Sequence, residues 1–310
     1  MRIKITSFMG RFGFEVRRKF PKTSSWLYLN SQAFLRKNAT KIYIEKVMQE
    51  PQKMLPIFVN IETINRCNGT CAFCPANSRD ESRELKKMPL ELFEKIIGDL
   101  EKVQYAGILS LYMNNEPFID ERMEDMLIYA RKRLSNAKIL VFTNGTLLTP
   151  DRFKKIEQYI DYMFINNYSK RYEMNKPVKV LYEYVKRHDN GKKPDITVQL
   201  RYVGEYLTNR AGTAPNKQRM DKIYKWQCLM PYTDINIYPD GKVGICCNDT
   251  KEVTDYGNVW EHDLIEIFRN EKFAMLRKRM REGRNECEFC RYCDVVDSGI
   301  RLRFIREHRV

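Results

Sequence analysis

The 310-residue sequence has only three histidines, His188, His262 and His308, beside nine cysteines. It has no run near the roughly 18 to 20 apolar residues that a membrane-spanning helix needs. Its first 20 residues interleave Arg and Lys with apolar residues, so they lack the apolar core of a secretory signal. These absences predict a cytoplasmic protein. In that reducing compartment, nine cysteines indicate metal or redox chemistry rather than disulfides.

Acidic residues are scarce at both ends of the chain, and the net charge is +15. Residues 1–55 hold 12 Lys/Arg against 3 Asp/Glu, and residues 272–310 hold 11 against 6. Such ends suit an anionic partner: a phosphorylated substrate, an acidic peptide, a lipid surface or nucleic acid. A solvated basic surface is the alternative. No nucleic-acid-binding motif is present, so nucleic acid is not expected, whereas peripheral membrane contact through the basic N-terminus stays open.

Between residues 57 and 203, strand-like and helix-like blocks alternate without internal repeats. The strand candidates are 57–64, 107–113, 138–143, 161–167 and 195–203, and the helix candidates are 90–103, 121–134, 149–160 and 179–188. Thr149 is a plausible N-cap, with Pro150 in the first turn. This alternation predicts a parallel sheet built from βαβ units, whose functional residues lie at the carboxyl ends of the strands.

After residue 205 the sequence changes character. Residues 209–218 are polar and form a loop candidate, and residues 233–248 have the pattern of a β-hairpin around Pro239, Asp240 and Gly241. A basic amphipathic block follows at 263–282. We interpret this region as a small second unit that needs metal ligation for its stability.

Cys67, Cys71 and Cys74 lie in the segment CNGTCAFCP, directly after the first strand of the alternating region. Three thiolates supply three of the four ligands of a four-iron cluster and leave one iron open. A structural zinc site needs four protein ligands and usually takes its cysteines from paired CxxC knuckles. No histidine lies near this loop.

The motif CxxxCxxC after the first strand of an α/β unit resembles the signature of the radical S-adenosylmethionine (SAM) superfamily. The resemblance implies an α/β fold, a partial (β/α) TIM-like barrel, with a [4Fe–4S] cluster on the three cysteines and SAM on the open iron. It implies a reductant such as flavodoxin or ferredoxin. Phe73 occupies the position of an aromatic residue near the adenine, or it simply packs under the loop.

Two further segments resemble parts of the SAM site in this family. MNNEP (113–117) stands where the family has a Gly-Gly-Glu-Pro type segment, with two asparagines in place of the glycines. The resemblance makes Asn114, Asn115 and Glu116 candidates for SAM binding. TNGTLL (143–148) likewise makes Asn144 a candidate, although Thr-Asn-Gly alone indicates only a turn.

The other six cysteines resemble the SPASM/twitch extensions of radical SAM enzymes. They are Cys228, Cys246, Cys247, Cys287, Cys290 and Cys293. The resemblance implies one auxiliary [4Fe–4S] cluster on Cys228, Cys246, Cys287 and Cys290, with Cys247 pointing away from it. Cys293 is open to several roles: an alternative ligand to Cys290, part of a second cluster or a hydrogen donor. A zinc knuckle formed by CEFCRYC is the other alternative.

These inferences divide the chain into a basic N-terminal extension (1–54), a radical SAM partial barrel (55–210) and a small C-terminal SPASM/twitch domain (211–310). The N-terminal extension has no counterpart in the segments that resemble radical SAM enzymes.

In length and cysteine arrangement the chain resembles the twitch-type dehydrogenases of 2-deoxy-scyllo-inosamine. The resemblance predicts an enzyme that cleaves SAM to a 5′-deoxyadenosyl radical and oxidises or epimerises a sugar, cyclitol or related metabolite. The auxiliary cluster would then accept an electron. The alternatives are a ribosomal-peptide maturase and a non-catalytic metal protein that docks on nucleic acid. Arg201, Tyr202, Glu205 and Cys293 are candidate catalytic residues.

Overall fold

The computed structural model of the protein describes residues 2–6, 10–76, 83–189, 194–217, 223 and 225–296. Its strands are β1 (Arg2–Thr6), β2 (Phe58–Ile61), β3 (Ile108–Ser110), β4 (Lys138–Thr143), β5 (Tyr162–Ser169), β6 (Asp195–Tyr202), β7 (Asp234–Ile237) and β8 (Val243–Gly244). Its α-helices are α1 (Gly10–Lys19), α2 (Pro21–Val47), α3 (Leu90–Lys102), α4 (Met123–Arg133), α5 (Pro150–Ile156), α6 (Lys176–Arg187), α7 (Met230–Thr233), α8 (Leu264–Arg269) and α9 (Glu271–Glu282).

The strands form one sheet in the order β1-β6-β5-β4-β3-β2-β7-β8, and all neighbours are parallel except β7 and β8. Strands β2 to β6 alternate with helices α3 to α6, as the sequence predicts. The expected α/β architecture is therefore confirmed. Because the strands are parallel, their carboxyl ends meet at one edge, where loops from β2, β3 and β4 converge.

Local signals explain several element ends. The Thr149 hydroxyl accepts a hydrogen bond from the backbone N–H of Arg152 at 3.3 Å, and Pro150 opens α5. The predicted N-cap is therefore present. In the basic block at 263–282, the side chain of Asn270 accepts from the N–H of Phe273 at 2.9 Å. This cap starts a new helix, so the block forms α8 and α9 rather than one continuous helix.

Two pairings were not anticipated from the sequence. Strand β1, within the N-terminal extension, pairs in parallel with β6 and covers that edge of the sheet. Strand β7, the first strand of the predicted hairpin, pairs in parallel with β2. The sheet therefore continues into residues assigned to the N-terminal and C-terminal units, because β6 and β2 each offer an unpaired edge at the ends of the barrel.

No helix in the described ranges is long and apolar enough to cross a membrane. The last part of the basic C-terminus, residues 297–310, lies outside the described residues.

Candidate active site and cluster ligands

The loop of residues 67–74, here called the cysteine loop, follows β2. It lines a cavity of about 600 Å³ at the carboxyl edge of the sheet, here called the main cavity. The backbone N–H of Gly69 lies 3.3 Å from Cys67 Sγ, and a Cβ at Gly69 would stand 3.3 Å from that sulfur. Ala72 N–H donates to the carbonyl of Val203 at 3.2 Å, which fastens the loop to the end of β6. The thiols of Cys67, Cys71 and Cys74 therefore share one cavity wall.

The chemistry of these thiols fits a cluster better than a single ion. Burial raises the pKa of Cys67 and Cys71 to about 12, so the metal-free thiols stay neutral and lose protons only when a metal binds. Among the described residues, no three His, Cys, Asp or Glu side chains stand close enough to hold one metal ion. An iron–sulfur cluster is bound differently, since each thiolate ligates a separate iron.

Asn114 and Asn115 are buried beside the cysteine loop, at the carboxyl end of β3. Their Oδ1 atoms accept hydrogen bonds, from Arg210 Nη2 at 2.7 Å and from Met113 N–H at 3.0 Å respectively. Neither Nδ2 atom has a partner in the described part of the chain, although both are buried. Buried donors are normally paired, so two free amide donors in a cavity wall fit an anionic or carbonyl group of a ligand. The carboxylate of SAM is such a group.

Glu116 also lines the cavity, but its carboxylate is engaged by the chain. It accepts hydrogen bonds from Thr143 Oγ1 at 2.6 Å, Asn144 N–H at 2.7 Å and Phe118 N–H at 3.3 Å. Burial raises the pKa of Glu116 to about 7 despite these donors. The Glu116 N–H donates to Arg66, so this residue joins the loops after β2, β3 and β4. A contact between Glu116 and SAM remains a prediction.

Asn144 also links loops at the edge of the cavity. Its Nδ2 donates to Asn68 Oδ1 at 2.8 Å, and its Oδ1 accepts from the hydroxyl of Thr146 at 2.6 Å. Both polar ends of Asn144 therefore hold loops together at the cavity rim.

Phe73, Tyr168 and Arg201 contact one another in a single cluster. The Phe73 and Tyr168 rings lie 5.4 Å apart, and the Arg201 guanidinium stands 5.9 Å from the Phe73 ring and 5.1 Å from the Tyr168 ring. All three side chains line the main cavity. Phe73 therefore packs under the loop and also faces the cavity, so the two interpretations of this residue are compatible.

The other catalytic candidates lie elsewhere. Glu205 is buried beneath Arg201, which donates to it through Nε at 3.1 Å and Nη2 at 2.5 Å. Tyr202 points away from the main cavity, edge-on to Phe14 of α1 with ring centroids 6.0 Å apart. This follows from strand alternation, because adjacent residues of β6 face opposite sides. Cys293 is buried with the C-terminal cysteines and does not line the main cavity.

Burial and charge act in opposite directions on the Arg201–Glu205 pair. Burial favours the neutral form of both groups, but the carboxylate of Glu205 raises the pKa of Arg201 and the guanidinium of Arg201 lowers the pKa of Glu205. Both therefore stay charged. Arg17 of α1 adds a second cation, 3.4 Å from Glu205.

Five C-terminal thiols, here called the auxiliary cysteines, form a second group. They are Cys228, Cys246, Cys287, Cys290 and Cys293. Cys287 and Cys290 are hydrogen-bonded to each other, and Cys290 interacts electrostatically with Cys228, Cys246 and Cys293. The number of thiols suffices for a fully protein-ligated cluster, with one left over.

Arg210 is the residue that sequence reasoning missed. Its Nη2 donates to Asn114 Oδ1 at 2.7 Å and to the carbonyl of Cys247 at 2.8 Å, so it bridges the two cysteine regions. Its Nε is buried without a partner, and no carboxylate among the described residues forms an ion pair with it. Its backbone has φ of +47°. Within a polar loop segment, the sequence gives no sign of this position.

Two family comparisons match these regions. Residues 61–189 match the Radical SAM superfamily, and residues 228–294 match SPASM, an iron–sulfur cluster-binding domain. The S-adenosyl-L-methionine-dependent 2-deoxy-scyllo-inosamine dehydrogenase of Niallia circulans is 25% identical over 239 residues, covering 77% of this chain and 92% of that protein.

Solved structures agree in fold. The crystal structure of BtrN in complex with AdoMet and 2-DOIA has a TM-score of 0.67 to this chain at 23% identity, covering 78% of this chain and 94% of that one. The structure of anSMEcpe with bound AdoMet has a TM-score of 0.51 at 14% identity, covering 77% and 85%.

The first family match contains the cysteine loop, and the second contains all six C-terminal cysteines. The expectation of a catalytic protein is thereby confirmed over that of a non-catalytic metal protein. The chain therefore carries a radical SAM domain in residues 61–189 and a SPASM iron–sulfur cluster-binding domain in residues 228–294, and as a radical SAM enzyme it uses SAM and a [4Fe–4S] cluster.

Proposed function

We propose that the protein oxidises a secondary alcohol of a cyclitol, sugar or related small molecule to a ketone. Cys67, Cys71 and Cys74 would hold the [4Fe–4S] cluster to which SAM binds. Cys228, Cys246, Cys287 and Cys290 would hold one auxiliary [4Fe–4S] cluster. The similarity to the Niallia circulans dehydrogenase supports this assignment.

The observation that carries the proposal is the position of Arg210 between the two groups of thiols. It lines the main cavity together with the cysteine loop, and it contacts the backbone beside Cys246. A substrate in this cavity would thus lie between a site of hydrogen abstraction and a site that can accept an electron. Electron acceptance is what distinguishes dehydrogenation from a redox-neutral radical reaction.

When bound, SAM and its cluster supply a 5′-deoxyadenosyl radical that takes a hydrogen atom from a substrate C–H bond. For an alcohol to become a ketone, the hydroxyl proton and one further electron must also leave. An auxiliary cluster held by the auxiliary cysteines would accept this electron, and the proton would pass to solvent. The positive charge of Arg210 would stabilise the substrate oxygen as its proton departs.

The remaining cavity wall suits a polyhydroxylated ligand. Its side chains away from the cysteine loop include neutral amides and a hydroxyl: Asn166, Asn175, Gln199, Thr208 and Asn248. Such groups both donate and accept hydrogen bonds, as sugar and cyclitol hydroxyls require.

An external one-electron donor such as flavodoxin or ferredoxin would start each turnover.

The test is anaerobic reconstitution of the full chain with iron and sulfide, followed by incubation with SAM, dithionite and a panel of substrates. The panel contains aminocyclitols, including 2-deoxy-scyllo-inosamine, and free and phosphorylated sugars. We expect 5′-deoxyadenosine together with a product two mass units lighter than one substrate. A substrate deuterated at the oxidised carbon should transfer deuterium to 5′-deoxyadenosine. Absence of 5′-deoxyadenosine from protein with full iron and sulfide content would contradict the proposal.

A further inference from the structure

The outward face of α2 carries large apolar side chains in contact with solvent. Phe34 is 85% exposed, Ile42 70% and Leu35 69%. Leu27 and Trp26, about two turns before Phe34, are also exposed. Residues 27, 34 and 42 follow at intervals of seven and eight positions and residue 35 adjoins residue 34, so the four fall on one side of the helix. These four residues are here called the apolar face.

This face is not the one that packs on the protein. The inner side of α2 buries Leu29, Tyr43 and Ile44, and the hydroxyl of Ser25 donates to the carbonyl of Leu207 at 3.0 Å. A surface helix normally has polar residues opposite its buried side. Helix α2 has apolar residues on both sides, and such a pattern indicates a second contact surface.

The charge around the apolar face is of one sign. Lys22, Lys37, Lys41 and Lys46 are exposed on α2. Glu45, the single carboxylate in the helix, is ion-paired with Arg281 of α9. A second copy of the same face would bring these lysines together, and that repulsion disfavours a symmetric dimer through α2.

We propose that α2 lies on a bilayer with anionic head groups, with its apolar face inserted at the level of the head groups. Helices that lie in this interface combine Trp, Phe and Leu on one side with flanking Lys and Arg. Each lysine or arginine near an anionic bilayer strengthens binding by about fivefold. The lysines of α2 supply that attraction, and their carbon stems can lie along the apolar residues.

The test is sedimentation of the reconstituted full chain with sucrose-loaded vesicles of phosphatidylcholine, either pure or containing phosphatidylglycerol. We expect binding to the anionic vesicles that weakens with added salt. A Phe34→Ser, Leu35→Ser double variant should bind at least about tenfold more weakly. A Lys37→Ser, Lys41→Ser double variant should lose about 25-fold on anionic vesicles.

Val180 and Val253 provide matched controls, because they are 46% and 67% exposed on other parts of the surface. A Val180→Ser, Val253→Ser double variant should bind vesicles like the natural chain. All variants should produce 5′-deoxyadenosine at the natural rate, so a failure of the proposed reaction is separable from a failure of docking. Equal binding to neutral and anionic vesicles would overturn the proposal. So would a dimer on gel filtration that the Phe34→Ser, Leu35→Ser variant dissociates.

Discussion

Substitution of Glu205 tests how much the ion pair with Arg201 contributes to the stability of the protein. It is 2% exposed, receives two hydrogen bonds from Arg201 and lies 3.4 Å from Arg17. Glu205→Gln preserves the size of the side chain and removes its charge. Arg201 then remains in a largely buried setting without its carboxylate partner.

Removing one partner of a buried ion pair costs about 3 to 5 kcal/mol of unfolding free energy. The Arg201 side chain is 21% exposed and Arg17 28%, so water relieves part of this cost. We therefore expect a loss of about 3 kcal/mol at pH 7. Because Arg201 lowers the pKa of Glu205, the pair stabilises the fold above the ordinary carboxyl pKa of 4.5. The difference between the two proteins should shrink as the pH falls below that value.

The measurement is urea unfolding of both proteins, followed by fluorescence. The pair Arg133 and Glu101 is the control, since these side chains are 48% and 42% exposed. Glu101→Gln should change the unfolding free energy by no more than about 0.5 kcal/mol. A Glu205→Gln effect as small as that of Glu101→Gln would refute the reasoning. Adding Arg201→Gln to Glu205→Gln should cost less than the sum of the single changes, because it removes the uncompensated charge.

Three further predictions concern the clusters, the hairpin and the cavity. Cys290→Ser should lower the iron content from about eight to about four atoms per chain, whereas Cys293→Ser should keep about eight; equal iron loss in both would contradict the ligand assignment. Gly241→Ala should destabilise the protein by about 1 to 3 kcal/mol in urea, because Gly241 has φ of +86° and the new Cβ would lie 2.6 Å from a side-chain oxygen. Gly98→Ala, within α3 and with nothing within 4 Å of its new Cβ, should instead stabilise by about 0.5 to 1 kcal/mol. Arg210→Gln should lower kcat/KM for ketone formation about 10- to 100-fold while iron content stays unchanged; an unchanged kcat/KM would remove Arg210 from the substrate site.

The barrel strands could be predicted from the sequence because each is a short apolar run followed by a helix of regular periodicity. Strand β1 could not. Its sequence, RIKIT, is short and has two charged residues among five, and its pairing with β6 depends on a contact across nearly 200 residues. The parallel pairing of β7 with β2 is likewise long-range, whereas the turn at Pro239 and Gly241 is a local signal that indicates only a hairpin.

The site shows the same division. The cysteine spacings are local and can be read from the sequence. They indicate the radical SAM family, and the resemblance to that family identifies the SAM-site segments at 113–117 and 143–148. Tyr202 is a catalytic candidate from the sequence because it lies at the end of a strand. The sequence does not show on which side of the sheet its side chain lies. Arg210 had no local signal, since its position depends on Asn114 and Cys247, 96 and 37 residues away.

The N-terminal residues contact the site wall from behind, although the radical SAM family match begins only at residue 61. Arg17 of α1 reaches Glu205, which in turn holds Arg201 in the cavity. The hydroxyl of Ser25 in α2 donates to the carbonyl of Leu207, a residue that lines the same cavity. One wall of the cavity is therefore shaped by residues outside the region shared with the family. Since the shared region supplies the cysteine loop, substrate selectivity is best sought where α1 and α2 meet β6.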